Sequence, residues 1–172
     1  MGTTGSRKVE TFQIGHTWFI VPKLDEKPLW QCEKCGRHFA NRKQQHSCVK
    51  SAEGDFLKNR TKREVDLYKA LVKEIKTIGP ILLAPSKTRV GFQVRMIFAA
   101  ANKLSNGHLD AHVVLARRLD NPRFRKIETV SPKNHVHHFR ISQIADIDDE
   151  VRDWLREAYS VGRQEHLRRG EH

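Results

Sequence analysis

Cys32, Cys35, His46 and Cys48 fall within seventeen residues, and no further cysteine follows in the chain. An odd number of cysteines grouped so closely predicts metal ligation in a reducing compartment rather than a disulfide framework. Two thiols separated by two residues and followed by Gly36 have the spacing of a zinc knuckle. The pair grips one edge of a tetrahedron, and the glycine removes side-chain bulk where backbone N–H groups turn toward sulfur. Ten residues separate Cys35 from His46, and one separates His46 from Cys48. Three thiolates and an imidazole fill all four positions of Zn2+, so the predicted site is structural and not catalytic. Phe39 stands four residues after Cys35, as in the common DNA-reading fingers, but the interval to the histidine is shorter than their usual spacing of about twelve. Positions two apart face opposite sides of a helix, so His46 and Cys48 converge only if a helix ends between them. Both departures argue against a recognition helix in a groove. His38 is the rival ligand, and it would crowd Cys35.

A second group of residues suits phosphate oxygens. Val90, Phe92, Val94, Met96 and Phe98 alternate with polar positions, predicting one half-buried strand with Lys87, Arg89, Gln93 and Arg95 on its other side. Leu109, Ala111, Val113 and Leu115 alternate with Asp110 and His112, and Phe139 and Ile141 alternate with His138 and Arg140. If helices cover the apolar face, these polar side chains share the opposite one, with Arg117, Arg118, Arg123, Arg125 and Lys126 extending the charge along an edge. The candidate anion-binding residues are Lys87, Arg89, Arg95, Arg118, Arg125, His138 and Arg140. The plain alternative is a solvated sheet face on which Asp110 pairs a cross-strand arginine. Asp110, His112 and His138 form an acid–base cluster only if their strands are neighbours. His137, on the apolar side, reads as a hydrogen-bonded core or edge residue. No serine elbow, phosphate loop or paired-carboxylate spacing supports a reaction class.

The elements that must position these groups follow from periodicity. Residues 1–29 read as a tail with a possible strand or arm around Trp18 and Phe19, and residues 30–50 as the knuckle. Residues 56–163 read as an α+β domain, and 164–172 as a charged tail. Thr61 and Glu64 have capping-box spacing, and Val65, Tyr68, Leu71 or Val72, Ile75 and Ile78 form a helical stripe ended by Gly79 and Pro80. Residues 102–107 supply a turn, and residues 117–129 read as a basic loop or extended segment. Asp148, Asp149 and Glu150 begin a second amphipathic helix carrying Val151, Trp154, Leu155 and Ala158, with Gly162 near its end. The fold class is α+β: a small N-terminal zinc knuckle, then a helix, a mostly antiparallel sheet and a C-terminal helix.

The chain has 172 residues, 32 Lys and Arg against 20 Asp and Glu, and a net charge of +12. Residues 81–140 alone carry eleven Lys and Arg against three Asp and Glu, so the excess sits on the predicted sheet. No apolar run approaches a membrane span and no secretory leader is evident, which predicts a cytoplasmic protein without membrane partners. Charge of this sign points to nucleic acid or a phosphorylated ligand.

Residues 30–48 (WQCEKCGRHFANRKQQHSC), with SKTRVGFQVRMIFAAA, RRLDNPRFRKIE, HHFRI and WLREAYSVG, resemble the bacterial family known as domain of unknown function 5655. The resemblance runs from about Trp30 to Gly162. It implies an α+β domain preceded in some members by a zinc knuckle, and a bacterial cytoplasmic origin; it implies no assigned activity and no catalytic residue. The leading expectation is a zinc-containing, non-enzymatic module that binds nucleic acid or another polyanion through its basic sheet face. An enzyme or small-ligand protein acting on a nucleotide or other phosphorylated compound is the first alternative. A protein-interaction adaptor using the Trp18–Phe19 arm is the second. The sequence leaves the oligomeric state open.

Overall fold

A computed structural model describes residues 9–14, 17–22, 28–42, 46, 48 and 51–168. Strands β1 (Val9–Ile14) and β2 (Thr17–Pro22) form an antiparallel hairpin. The predicted arm is therefore paired in its backbone; the side chains of Trp18 and Phe19, and the predicted tail at 1–8, lie outside the described residues. Strands β3 (Trp30–Gln31) and β4 (His38–Phe39) pair across the Cys32–Cys35 turn.

Helix α1 (Glu53–Leu57) is followed by α2 (Lys62–Ile78). The capping box is present: Glu64 N–H donates to Thr61 Oγ1 at 3.3 Å, and Thr61 N–H donates to Glu64 Oε2 at 3.0 Å. Glu64 is buried and also accepts from Gly107 N–H at 3.2 Å, tying the helix start to a sheet turn. The N–H of Thr61 is the main reason its carboxyl stays below the usual range.

The sheet contains β5 (Leu82–Pro85), β6 (Val90–Gln93), β7 (Ile97–Ser105), β8 (His108–Leu115), β9 (Lys126–Ser131) and β10 (Asn134–Ile141). Its spatial order is β5-β6-β7-β8-β10-β9, antiparallel at every junction. Asn106 and Gly107 both have positive φ, the two-residue hairpin geometry in which glycine is favoured at the second position. Helix α3 (Asp149–Gly162) and α2 pack on one face of β7 and β8, and α4 (Glu165–Arg168) follows within the predicted tail. Tyr68, Leu71, Ile75, Val90, Phe92, Phe98, Val113, Ile141 and Leu155 fill the layer between helices and sheet.

The single strand predicted from Val90 to Phe98 is instead two strands. Backbone N–H groups of Arg95 and Met96 both donate to Gly162 O, at 3.0 and 3.1 Å, so the end of α3 folds the chain at 94–96. Gly162 permits this approach, because a Cβ there would stand 2.7 Å from the Phe98 ring. Arg95 consequently leaves the sheet face; it is buried at the bend and donates to Gln164 Oε1 at 3.2 Å. The turn predicted over 102–107 shrinks to Asn106–Gly107, because β7 runs on to Ser105. The segment at 117–129, predicted as a basic loop or extended run, is a loop that ends in edge strand β9. The acidic start of α3 is present, with Asp148 one position before the helix: it is the N-cap and accepts from Val151 N–H at 3.1 Å.

Candidate metal centre and sheet-face cleft

The β3–β4 turn places Cys32 and Cys35. Gly36 N–H donates to Cys32 O at 2.7 Å, and Cys32 N–H to Arg37 O at 2.9 Å, with Gly36 at φ +73°. That positive φ, not only the absence of bulk, is why glycine stands there. His46 packs its ring on Phe39, centroids 4.2 Å apart, with Trp30 at 6.3 Å, so a small aromatic cluster orients the imidazole.

The ligand atoms of Cys32, Cys35, His46 and Cys48 all lie within 4.8 Å of one another, close enough to bind one metal ion. Cys32 Sγ is 3.8 Å from Cys48 Sγ, while His46 Nε2 is 3.4 Å from Cys35 Sγ and 3.2 Å from Cys48 Sγ. A tetrahedral ion with bonds of about 2.3 Å to sulfur and 2.0–2.1 Å to nitrogen has S···S edges of about 3.8 Å and S···N edges of about 3.5 Å. Two of the separations match those edges, the third is a little shorter, and 3.8 Å is far too long for a disulfide. The Cys32 thiol is lowered chiefly by the backbone N–H of Cys35. Burial would raise Cys35, but N–H and guanidinium donors of Arg37 prevail and bring it to about 6. Cys48 is pushed up by burial and by the other two sulfurs. A cation at the centre of the group would offset that repulsion and favour all three thiolates. His38 is outside this group; its carbonyl accepts from Gln93 Nε2 at 2.7 Å, which fastens the knuckle to β6. Residues 43–45 lie outside the described residues, so the predicted helix ending between His46 and Cys48 does too.

On the sheet face away from the helices, β8 and β10 are neighbours, the condition for the acid–base cluster. His112 is the register partner of His138, and Asp110 of Arg140. Arg140 grips Asp110 bidentately at 2.7 and 3.0 Å, and Arg125 lies 3.7 Å from the same carboxylate. These contacts hold Asp110 below the usual carboxylate range, the hydrogen bond from Arg140 being the main cause. Glu128 meets His138 Nε2 at 2.7 Å and Lys126 at 3.1 Å. Arg118 pairs with Asp120 at 3.3 Å, while Lys87 and Arg89 are exposed with no anionic partner among the described residues. Arg123 is committed to Asp148 and Glu150. An open cleft of about 420 Å3 is lined by Lys103, Asp110, Arg125, Lys126, His138 and Arg140, among others. The sheet therefore assembles Arg125, His138 and Arg140 around one cleft, leaves Lys87 and Arg89 out of its lining, and withdraws Arg95. His137 is fully buried on the helix side, accepting from Leu119 N–H at Nε2 and bonding His135 O through Nδ1.

Three residues of this cleft region went unread. Lys103 and Asn102 lie where the pattern reads as a turn, and Asn102 contacts His112 Nδ1 at 3.0 Å from a β-bulge. Glu128 lies on an edge strand without burial alternation. The sequence carries a signal for one of them, Glu128, an acid within a basic run.

A family model described as a domain of unknown function (DUF5655) matches residues 53–162. The chain belongs to that family. The DUF5655 region comprises both long helices and the whole six-stranded sheet, and the knuckle precedes it. No curated protein and no solved structure matches the chain. No helix among the described residues of this DUF5655 protein is long and apolar enough to cross a membrane.

Proposed function

We propose that this DUF5655 protein is a zinc-stapled module that binds single-stranded nucleic acid across the open face of its sheet. Zinc is the metal favoured by three thiolates and an imidazole that all lie within 4.8 Å of one another, and with four protein ligands its role is structural. The knuckle it closes is fastened to the sheet at Gln93.

The observation that carries the binding reading is the charge balance of the cleft. Among the described residues, Lys103, Arg125, Lys126 and Arg140 share only Asp110 and Glu128, so positive charge is left over for a phosphate. A broad six-stranded face lacks the narrow helix or ribbon that enters a duplex groove, which favours a single strand. The test is a salt series with a labelled single-stranded RNA oligonucleotide. Affinity should fall with a log–log slope of about −0.7 for each phosphate contacted, and Lys103→Glu should make the slope shallower. Undetectable binding, or binding indifferent to salt, overturns the reading.

A further inference from the structure

Among the described residues, His112 is the buried histidine on the polar face of the sheet. It is 7% exposed, and Asn102 Oδ1 lies 3.0 Å from Nδ1. The amide oxygen fixes the proton on Nδ1 and leaves the lone pair on Nε2, which has no hydrogen-bond partner among the described residues. Directly across the strand pair stands His138, its ring centroid 5.4 Å away. Glu128 accepts from His138 Nε2 and orients that ring, leaving Nδ1 as the nitrogen without a partner among the described residues. One imidazole is thus set as an acceptor, and its neighbour, backed by a carboxylate, carries a second proton on Nδ1 and becomes a donor in its imidazolium form. His138 lines the cationic cleft and pairs Lys126 across β9 and β10, while His112 stands next to it in the same register row, behind the cleft lining. An acid–base pair beside a phosphate-binding cleft is the arrangement that breaks phosphodiesters.

We propose that this face cleaves RNA by internal transesterification, with His112 as the base and His138 as the acid. The inference rests on the nucleic-acid reading above. His112 Nε2 removes the proton of a ribose 2′-hydroxyl, and the 2′-oxygen forms a bond to the adjacent phosphorus. The bond from phosphorus to the 5′-oxygen breaks, and His138 Nδ1 gives that leaving oxygen its proton. The products are a 2′,3′-cyclic phosphate and a 5′-hydroxyl. The step uses no water, metal or redox partner, and the two histidines recover their protonation states by exchange with solvent. Arg140, Lys126, Arg125 and Lys103 offset the charge that builds on the phosphate oxygens. Burial, with His138 and Arg89 nearby, brings His112 down to about 4, so its lone pair is present at neutral pH.

The experiment incubates the full, metal-loaded chain with an end-labelled single-stranded RNA and with the same strand carrying one 2′-deoxy nucleotide. Cleavage at every linkage except that following the deoxy nucleotide, with cyclic phosphate ends, is the expected result. His138→Ala, at a partly exposed position that leaves the core intact, should slow cleavage at least about a hundredfold while affinity changes less than about threefold. His112→Ala should do the same. RNA that is bound but stays intact, or cleavage that persists in His138→Ala, overturns this proposal and leaves the binding reading standing. RNA that is not bound at all overturns both.

Discussion

The knuckle and the sheet domain solve the problem of holding a chain together by opposite means. Among the described residues from 28 to 48, only Cys32 is buried, and the apolar contact is confined to the Trp30, Phe39 and His46 rings. From α2 to α3, by contrast, a continuous layer of side chains such as Leu71, Phe98 and Leu155 is almost wholly removed from water. Burial stabilises the second region at roughly 25 cal/mol per Å2 of apolar surface. The first has little of it, and on the proposed reading its order depends on metal–ligand bonds. The lesson is that the two regions can be broken separately.

The largest separable effect is metal removal. A structural zinc site contributes on the order of 10–16 kcal/mol of apparent binding free energy. Chelation should therefore abolish amide protection over residues 30–48 in hydrogen exchange while protection in α2, α3 and the sheet persists. Loss of protection in both regions at once would erase the distinction. The converse break is Trp154→Ala. Trp154 packs on Phe124 and Phe139 with the Arg123 guanidinium over its ring, and its truncation should cost about 3–5 kcal/mol. Denaturant titration should register that loss with metal content unchanged.

A smaller effect sharpens the comparison by pH. Folded His112 titrates at about 4, well below its ordinary value, because burial, then His138 and Arg89, penalise the charged ring, with Glu128 opposing them. The unfolded chain, titrating near about 6.5, binds more protons between those values. Domain stability is unaffected above that window and falls as pH drops through it, by up to roughly 3 kcal/mol. His112→Gln should flatten that limb of the stability curve. Smallest is Thr61→Ala, which removes the α2 N-cap and should cost about 1 kcal/mol in the same titration.

What was legible in the sequence divides by physical cause. Signals carried by a few adjacent residues were readable: Thr61 with Glu64, Asp148 before α3, and the paired cysteines before Gly36. Alternation was readable wherever one sheet face is buried, as in β8 and β10. It misled at Val94 and Met96, because the period of two continues across a bend whose cause, the Gly162 carbonyl, lies far along the chain. Edge strands β5 and β9 gave no pattern, since one is a short apolar run ending in Pro85 and the other is exposed along most of its length. The candidate sites divide likewise. The four residues of the candidate metal site are near neighbours in sequence, so spacing was enough to group them. The cleft is assembled by strand order, and Arg140 with Asp110 or His138 with Glu128 become partners only once β10 lies between β8 and β9.

The most direct measurement is elemental analysis of the full chain purified natively without added metal, alongside its Cys35→Ser variant. One zinc per chain, lost in the variant while the α+β core remains folded, is the predicted result. A wild-type chain that carries no metal and still protects residues 30–48 from exchange would contradict a metal-held knuckle.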